Sequence, residues 1–225
     1  MRVSTSSTDD SVSTDDSVST GSSSLLDRTP VIPVVVLHDV AHAVPVAEAL
    51  VEGGVPVIEL TLRTPAALAC VEAIAAAVPE ILLGVGTVVA PAQVKDALSA
   101  GAQFLVSPGT TESLAAAMRE TGLPHLPGAA TVSEVLRLLE LGYEELKFFP
   151  AEQSGGAPFL KSLGAPVPQA RFCPTGGISA ATAASYLALP NVGCVGGSWL
   201  TPADAVESGD WARIATLARE TTLLG

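Results

Sequence analysis

From Val31 onward the chain alternates between two hydrophobic rhythms. Short runs rich in Val, Ile and Leu read as strands, and Ala- and Leu-rich stretches with a helical apolar period follow them. The first rhythm predicts strands over Val31–Leu37, Val55–Leu62, Ile81–Thr87, Gln103–Ser107, His125–Pro127, Glu145–Phe149, Arg171–Pro174 and Val192–Gly196. The second predicts helices over Ala41–Val51, Pro65–Ala77, Pro91–Ala100, Glu112–Thr121, Val132–Leu141, Pro158–Leu163, Ala180–Leu187 and Trp211–Leu223. Gly53, Gly101, Gly122 and Gly142 stand at helix stop positions. Eight strands, each followed by a helix through a short connection, predict an α/β chain folded as a (β/α)8 TIM barrel. A doubly wound open sheet is the alternative. It is disfavoured because no GxGxxG follows the first strand, and Gly84-Val85-Gly86 lacks the third glycine.

The first residues break the rhythm. Residues 1–24 are rich in Ser, Thr and Asp, and Ser-Thr-Asp-Asp-Ser-Val occurs from Ser7 and again from Ser13. Such a stretch buries too little apolar surface to offset the entropy of ordering it, so it is expected to be a disordered tail. A phosphorylated tail and a start codon placed too far upstream are the other readings. The barrel domain then spans 25–225, a length that supports one large core.

Charge narrows the partners. At a net charge of −12, the chain is not expected to bind nucleic acid through a broad basic surface. A local Arg, Lys or helix N-terminus can still hold an anion. Cys70, Cys173 and Cys194 form no CxxC pair and lack zinc-site spacing, so they are expected to be buried, reduced thiols and no metal site is expected. No apolar run spans a bilayer and the start lacks a signal-peptide core, which points to a cytoplasmic protein without a membrane partner.

In a barrel, reactive side chains gather near the C-terminal ends of the strands, and strand side chains alternate between interior and helix layer. In Glu145-Leu146-Lys147-Phe148-Phe149, Leu146 and Phe148 share the outward parity, so Lys147 points inward beside Phe149. Loss of hydration disfavours its ammonium form and would leave a neutral, nucleophilic amine. Lys95 and Lys161 occupy solvated settings, so Lys147 is the candidate for an imine. In the second strand Glu59, Thr61 and Arg63 share the inward parity. Glu59 suits a proton shuttle. A purely structural ion pair between Glu59 and Lys147 is the competing reading. Arg63, at the strand end, can grip a carboxylate through two parallel hydrogen bonds, or lie solvated in its loop. Thr87 ends the third strand and offers a hydroxyl to the same carboxylate.

The last two strands end in glycine pairs: Pro174-Thr175-Gly176-Gly177 and Gly196-Gly197-Ser198. Loops at these positions often cradle phosphate, because glycine lets bare backbone N–H groups approach the anion.

Together these segments resemble the 2-keto-3-deoxy-6-phosphogluconate aldolase family, also called the bifunctional 4-hydroxy-2-oxoglutarate aldolases. The resemblance rests on Gly53–Pro65, Gly84–Val88, Gly101–Gly109, the KFFPAE string ending at Glu152, RFCPTGGIS over Arg171–Ser179, and Val195–Leu200. It implies a class I aldolase of the Entner–Doudoroff pathway that cleaves the phosphorylated 2-keto acid to pyruvate and glyceraldehyde 3-phosphate. The related 4-hydroxy-2-oxoglutarate and phosphogalactonate isomers are alternative substrates. By resemblance, Lys147 forms the Schiff base, Glu59 is the acid/base, and Arg63 and Thr87 bind the pyruvyl carboxylate. Pro108 and Phe149 line the pyruvate pocket, and Gly176, Gly177, Gly197 and Ser198 form the phosphate loop, with Thr175 beside it. The family implies a homotrimer that needs neither metal nor organic cofactor. The chain departs from the pattern at its start. Only Ser24–Arg28 can form a stub where relatives carry a helix, which puts closure of the barrel bottom in question.

Overall fold

The structure, a computed structural model, describes residues 24–224. Apart from Ser24, the expected disordered tail lies outside the described residues. Among the described residues nine strands and nine α-helices follow one another: β1 Val31–Val35, α1 Ala43–Glu52, β2 Val57–Thr61, α2 Ala67–Ala77, β3 Leu82–Gly86, α3 Pro91–Ser99, β4 Phe104–Val106, α4 Glu112–Glu120, β5 His125–Leu126, β6 Gly128–Ala129, α5 Val132–Glu140, β7 Glu145–Phe148, α6 Gly156–Leu163, β8 Arg171–Pro174, α7 Ala180–Leu187, β9 Val195–Gly197, α8 Ala203–Ser208 and α9 Trp211–Thr221.

All described strand pairs are parallel. One sheet runs β5-β4-β3-β2-β1-β9 and the other β6-β7-β8. Strands β1 and β2 are buried along their whole length, as expected of parallel strands covered on both faces. Only Pro127 separates β5 from β6, and as a proline it has no N–H to give the ladder. Isolated parallel bridges, Phe172 to Val192 and Thr175 to Gly196, join β8 to the run ending in β9.

The predicted elements are all present, with their ends moved. The predicted fifth strand extends as β6 to Ala129, and the last strand starts at Val195 instead of Val192. A turn of 3-10 helix over Val40–His42 precedes α1. Helix α8 was not predicted. Its six residues are too few to set up a period, although Pro202 at its start and left-handed Gly209 at its end mark both boundaries.

The stub before β1 is present and packs beside Gly193 and the first residue of β8. Leu25–Asp27 forms a single 3-10 turn, capped by the Ser24 hydroxyl accepting from the Leu26 N–H, and it buries Leu25 and Leu26. Leu26 fills the space beside Gly193, and Asp27 pairs with Arg171 at 2.5 Å at the first residue of β8. The expected stub is thus a single turn that contributes two buried apolar side chains and one ion pair. The three cysteines are free and buried. The neighbouring Cys173 and burial push the Cys194 thiol well above its ordinary range. Among the described residues no helix is long and apolar enough to cross a membrane.

Candidate active site

Alternation along β7 turns Leu146 and Phe148 to the helix layer, where Phe148 stacks on Phe159 of α6 with ring centroids 5.2 Å apart. Lys147 therefore points the other way, and its side chain is only 4% exposed. Its Nζ lies 3.0 Å from Glu59 Oε1 and 3.3 Å from Oε2. Glu59, on β2, is equally buried at 3%. Two ionisable groups taken out of water are tolerated only when each supplies the other's hydrogen bonds. The Phe149 ring, with its centroid 5.5 Å from Nζ, covers another side of the amine. A carboxylate in hydrogen-bond reach of a buried amine is what a proton shuttle requires. It is also what the competing reading of a structural ion pair requires.

Room for this contact comes from β3. Gly86 pairs with Thr61 in register, and a β-carbon there would fall 2.1 Å from Glu59 Oε1 and 2.6 Å from its Cδ. The sequence marked this glycine as part of a weak nucleotide-binding signal and of the Gly84–Val88 family motif, with no role of its own. Its neighbour Gly84 serves packing as well, since a β-carbon there would strike the Phe104 ring.

A second pair forms beside the first. Arg63 Nε donates to Thr87 Oγ1 at 3.2 Å, at the ends of β2 and β3. Thr87 has φ +60° and is the only non-glycine with positive φ among the described residues. For a β-branched residue this conformation is strained by about 1–3 kcal/mol, and such strain is characteristic of functional sites. Pro108 follows β4, and a β-carbon on Gly128 of β6 would lie 2.3 Å from its carbonyl carbon. The buried Ser107 fixes this junction by accepting from the Gly128 N–H at 3.2 Å.

The glycine-rich end is built from the loops after β7 and β8. Thr175 is buried, and Gly196 must lack a side chain because a β-carbon would sit 2.2 Å from Thr175 Oγ1. Gly176 and Gly177 follow with φ +106° and +79°, conformations open to glycine alone at little strain. The loop after β7 clamps this turn: Ala151 N–H donates to Thr175 at 2.8 Å and Glu152 N–H to Gly176 at 3.1 Å. Phe149 reaches from the lysine to the glycines, with ring carbon Cε2 3.3 Å from where a Gly176 β-carbon would be. Gly197 packs on the Trp199 ring. The exposed Ser198 lies on the wall of a cleft of about 400 Å³ shared with His38, Asp39 and His42. Gly197 and Ser198 connect to the other predicted residues through the Thr175–Gly196 bridge.

The family model for KDPG and KHG aldolases matches residues 23–217. The chain belongs to the KDPG and KHG aldolase family. A KHG/KDPG aldolase of Escherichia coli is 52% identical over 199 residues, covering 88% of this chain and 93% of the relative. The 2-dehydro-3-deoxy-phosphogluconate aldolase of Pseudoalteromonas atlantica is 50% identical over the same shares. Among solved structures, the KDPG aldolase of Legionella pneumophila, with pyruvate captured as a covalent carbinolamine, superposes with a TM-score of 0.86. It is 45% identical and covers 88% of this chain and 96% of its own. The Zymomonas mobilis KDPG aldolase with 3-phosphoglycerate gives 0.84 at 44% identity, covering 89% and 94%.

Around the Glu59–Lys147 contact and the β4–β6 junction, two residues not singled out as site candidates in the sequence set the spacing: Gly86 and Ser107. Both lie inside the motifs that identified the family. No local pattern marks their contacts, which depend on neighbouring strands and loops.

Proposed function

We propose that this chain is a class I aldolase that cleaves 2-dehydro-3-deoxy-6-phosphogluconate to pyruvate and glyceraldehyde 3-phosphate through a Schiff base on Lys147. The observation that carries the reading is the buried contact between the Lys147 amine and the Glu59 carboxylate. To attack the C2 ketone, the amine must be free of its third proton, and Glu59 is in position to take it. Attack gives a carbinolamine; Glu59 then returns its proton to the carbinolamine hydroxyl, which leaves as water and gives a protonated imine. Glu59, directly or through a water, then removes the C4 hydroxyl proton. The C3–C4 bond breaks, its electrons pass into the iminium, and glyceraldehyde 3-phosphate leaves. The enamine takes a proton at C3, and hydrolysis of the imine frees pyruvate and the amine. The covalent carbinolamine in the Legionella pneumophila relative supports this route.

Arg63 and Thr87 bind the pyruvyl carboxylate in this reading, and the strained Thr87 backbone supports the assignment. Pro108 and Phe149 line the pyruvate pocket. Thr175, Gly176, Gly177, Gly197 and Ser198 surround the phosphate. We read the two sheets as parts of one (β/α)8 barrel. The single-residue gap at Pro127 and the two bridges beside β9 support this closure. A cytoplasmic homotrimer acting in the Entner–Doudoroff pathway completes the proposal, and sedimentation would test the trimer.

Cleavage of 4-hydroxy-2-oxoglutarate to pyruvate and glyoxylate is the second reading, favoured by the double name of the Escherichia coli relative. A phosphogalactonate isomer is the third: a KDPGal structure superposes with a TM-score of 0.77 at 27% identity. Steady-state rates on the three substrates separate these readings. Borohydride reduction in the presence of pyruvate is expected to place a stable adduct on Lys147. An adduct elsewhere, or none, overturns the imine route.

A further inference from the structure

We infer that Glu152 and Tyr186 are positioning residues that brace the Gly176–Gly177 turn and so set the affinity for the substrate's phosphate. The inference rests on the reading that this turn cradles the phosphate.

Tyr186, on α7, is 1% exposed, so its hydroxyl needs a partner inside the protein. Glu152 Oε1 accepts it at 2.5 Å. Burial, and then this carboxylate, push the tyrosine hydroxyl above its ordinary range, so it stays a donor. Glu152 belongs to the loop after β7, whereas Tyr186 belongs to the helix that begins just after the glycine turn. The hydrogen bond therefore ties together the two segments that flank the turn.

The stem of Glu152 adds a second restraint. A β-carbon on Gly177 would lie 2.7 Å from Glu152 Cγ and 2.8 Å from its Cβ. The side chain thus fills the space that the glycine leaves open. With the Glu152 N–H bonded to the Gly176 carbonyl, it restrains the turn from its backbone and from its open face. A left-handed glycine pair has more backbone conformations open to it than any residue with a side chain. Amides that bind an anion well must already point at it, because ordering them on binding weakens affinity. A carboxylate close to an anion site also needs a reason to be there. Here its charge is engaged by the hydroxyl of the buried Tyr186.

The test uses Tyr186→Phe, which keeps the buried ring, and Glu152→Ala at a partly exposed site, both in the full chain. For the phosphorylated substrate, KM is expected to rise about tenfold, the usual loss for a hydrogen bond to a charged group, with kcat within about twofold. On 4-hydroxy-2-oxoglutarate, which has no phosphate, both constants should stay at parent values. Glu152→Gln keeps an acceptor oxygen and should recover most of the affinity. Calorimetric titration with inorganic phosphate, which requires no turnover, should weaken in the same order. Equal losses on the two substrates, or unchanged phosphate affinity, overturn the brace. A parent protein that binds phosphate but neither traps pyruvate nor cleaves either substrate instead overturns the functional reading, leaving the phosphate titration to judge the brace.

Discussion

Replacing Gly86 by alanine moves the Glu59 carboxylate without deleting it. The backbone at Gly86 is ordinary strand, so alanine is strained only by what its β-carbon meets. That β-carbon would lie 2.1 Å from Glu59 Oε1. Comfortable contact begins near 3.5 Å, so the carboxylate must retreat by roughly 1 Å or more. The buried interior offers it little room, and a shift of that size breaks the paired contact with Lys147 at 3.0 and 3.3 Å. Overpacking of this kind costs about 1–3 kcal/mol, a drop in melting temperature of roughly 2–12 °C. A misplacement of about 1 Å in a proton-transfer group costs on the order of a hundredfold in rate. Pyruvate release in a coupled NADH assay gives kcat, and a thermal melt gives the stability. The double variant Gly86→Ala/Glu59→Asp, with a shorter acid, should regain the melting temperature and stay slow. Gly86→Ala with parental kcat and a lowered melting temperature would refute the reasoning, because it would show that the position of Glu59 does not matter to the rate.

Lys147→Met should abolish both cleavage and borohydride trapping. It also leaves Glu59 buried without its partner, so unfolding free energy should fall by about 3–5 kcal/mol in denaturant titration, and Lys147→Met/Glu59→Leu should recover much of it without activity. Arg63→Ala should raise KM for the keto acid by about ten- to a hundredfold, and Arg63→Lys should rescue it only in part, as measured by initial rates. Burial holds His125 down to about 4 from 6.5. In that window the unfolded chain binds the extra proton, so this contribution to stability is complete above pH 6.5 and is lost as the pH falls toward 4. Melting temperature across that range should fall less steeply in His125→Gln than in the parent.

The strand pattern was enough to show which way Lys147 and Glu59 point. Alternation is a property of a single strand, written in neighbouring residues such as Leu146 and Phe148. Helices longer than two turns were legible for the same reason, whereas the six-residue α8 was too short to show a period. The stub at Leu25–Asp27 could be found by its position, but its packing partners, Gly193 and Arg171, lie far along the chain.

The sequence by itself determined the order of strands and helices, the parity of each inward side chain, and the motifs that mark the family. Tertiary structure alone decided that Glu59 and Lys147, 88 residues apart, meet at 3.0 Å. It also decided that Gly86 clears their space, that Thr87 is held at φ +60°, and that Tyr186 reaches Glu152. Periodicity acts within a strand or a helix. Distances between strands that are remote in sequence follow from register and close packing, in which a single β-carbon can decide whether two charges touch.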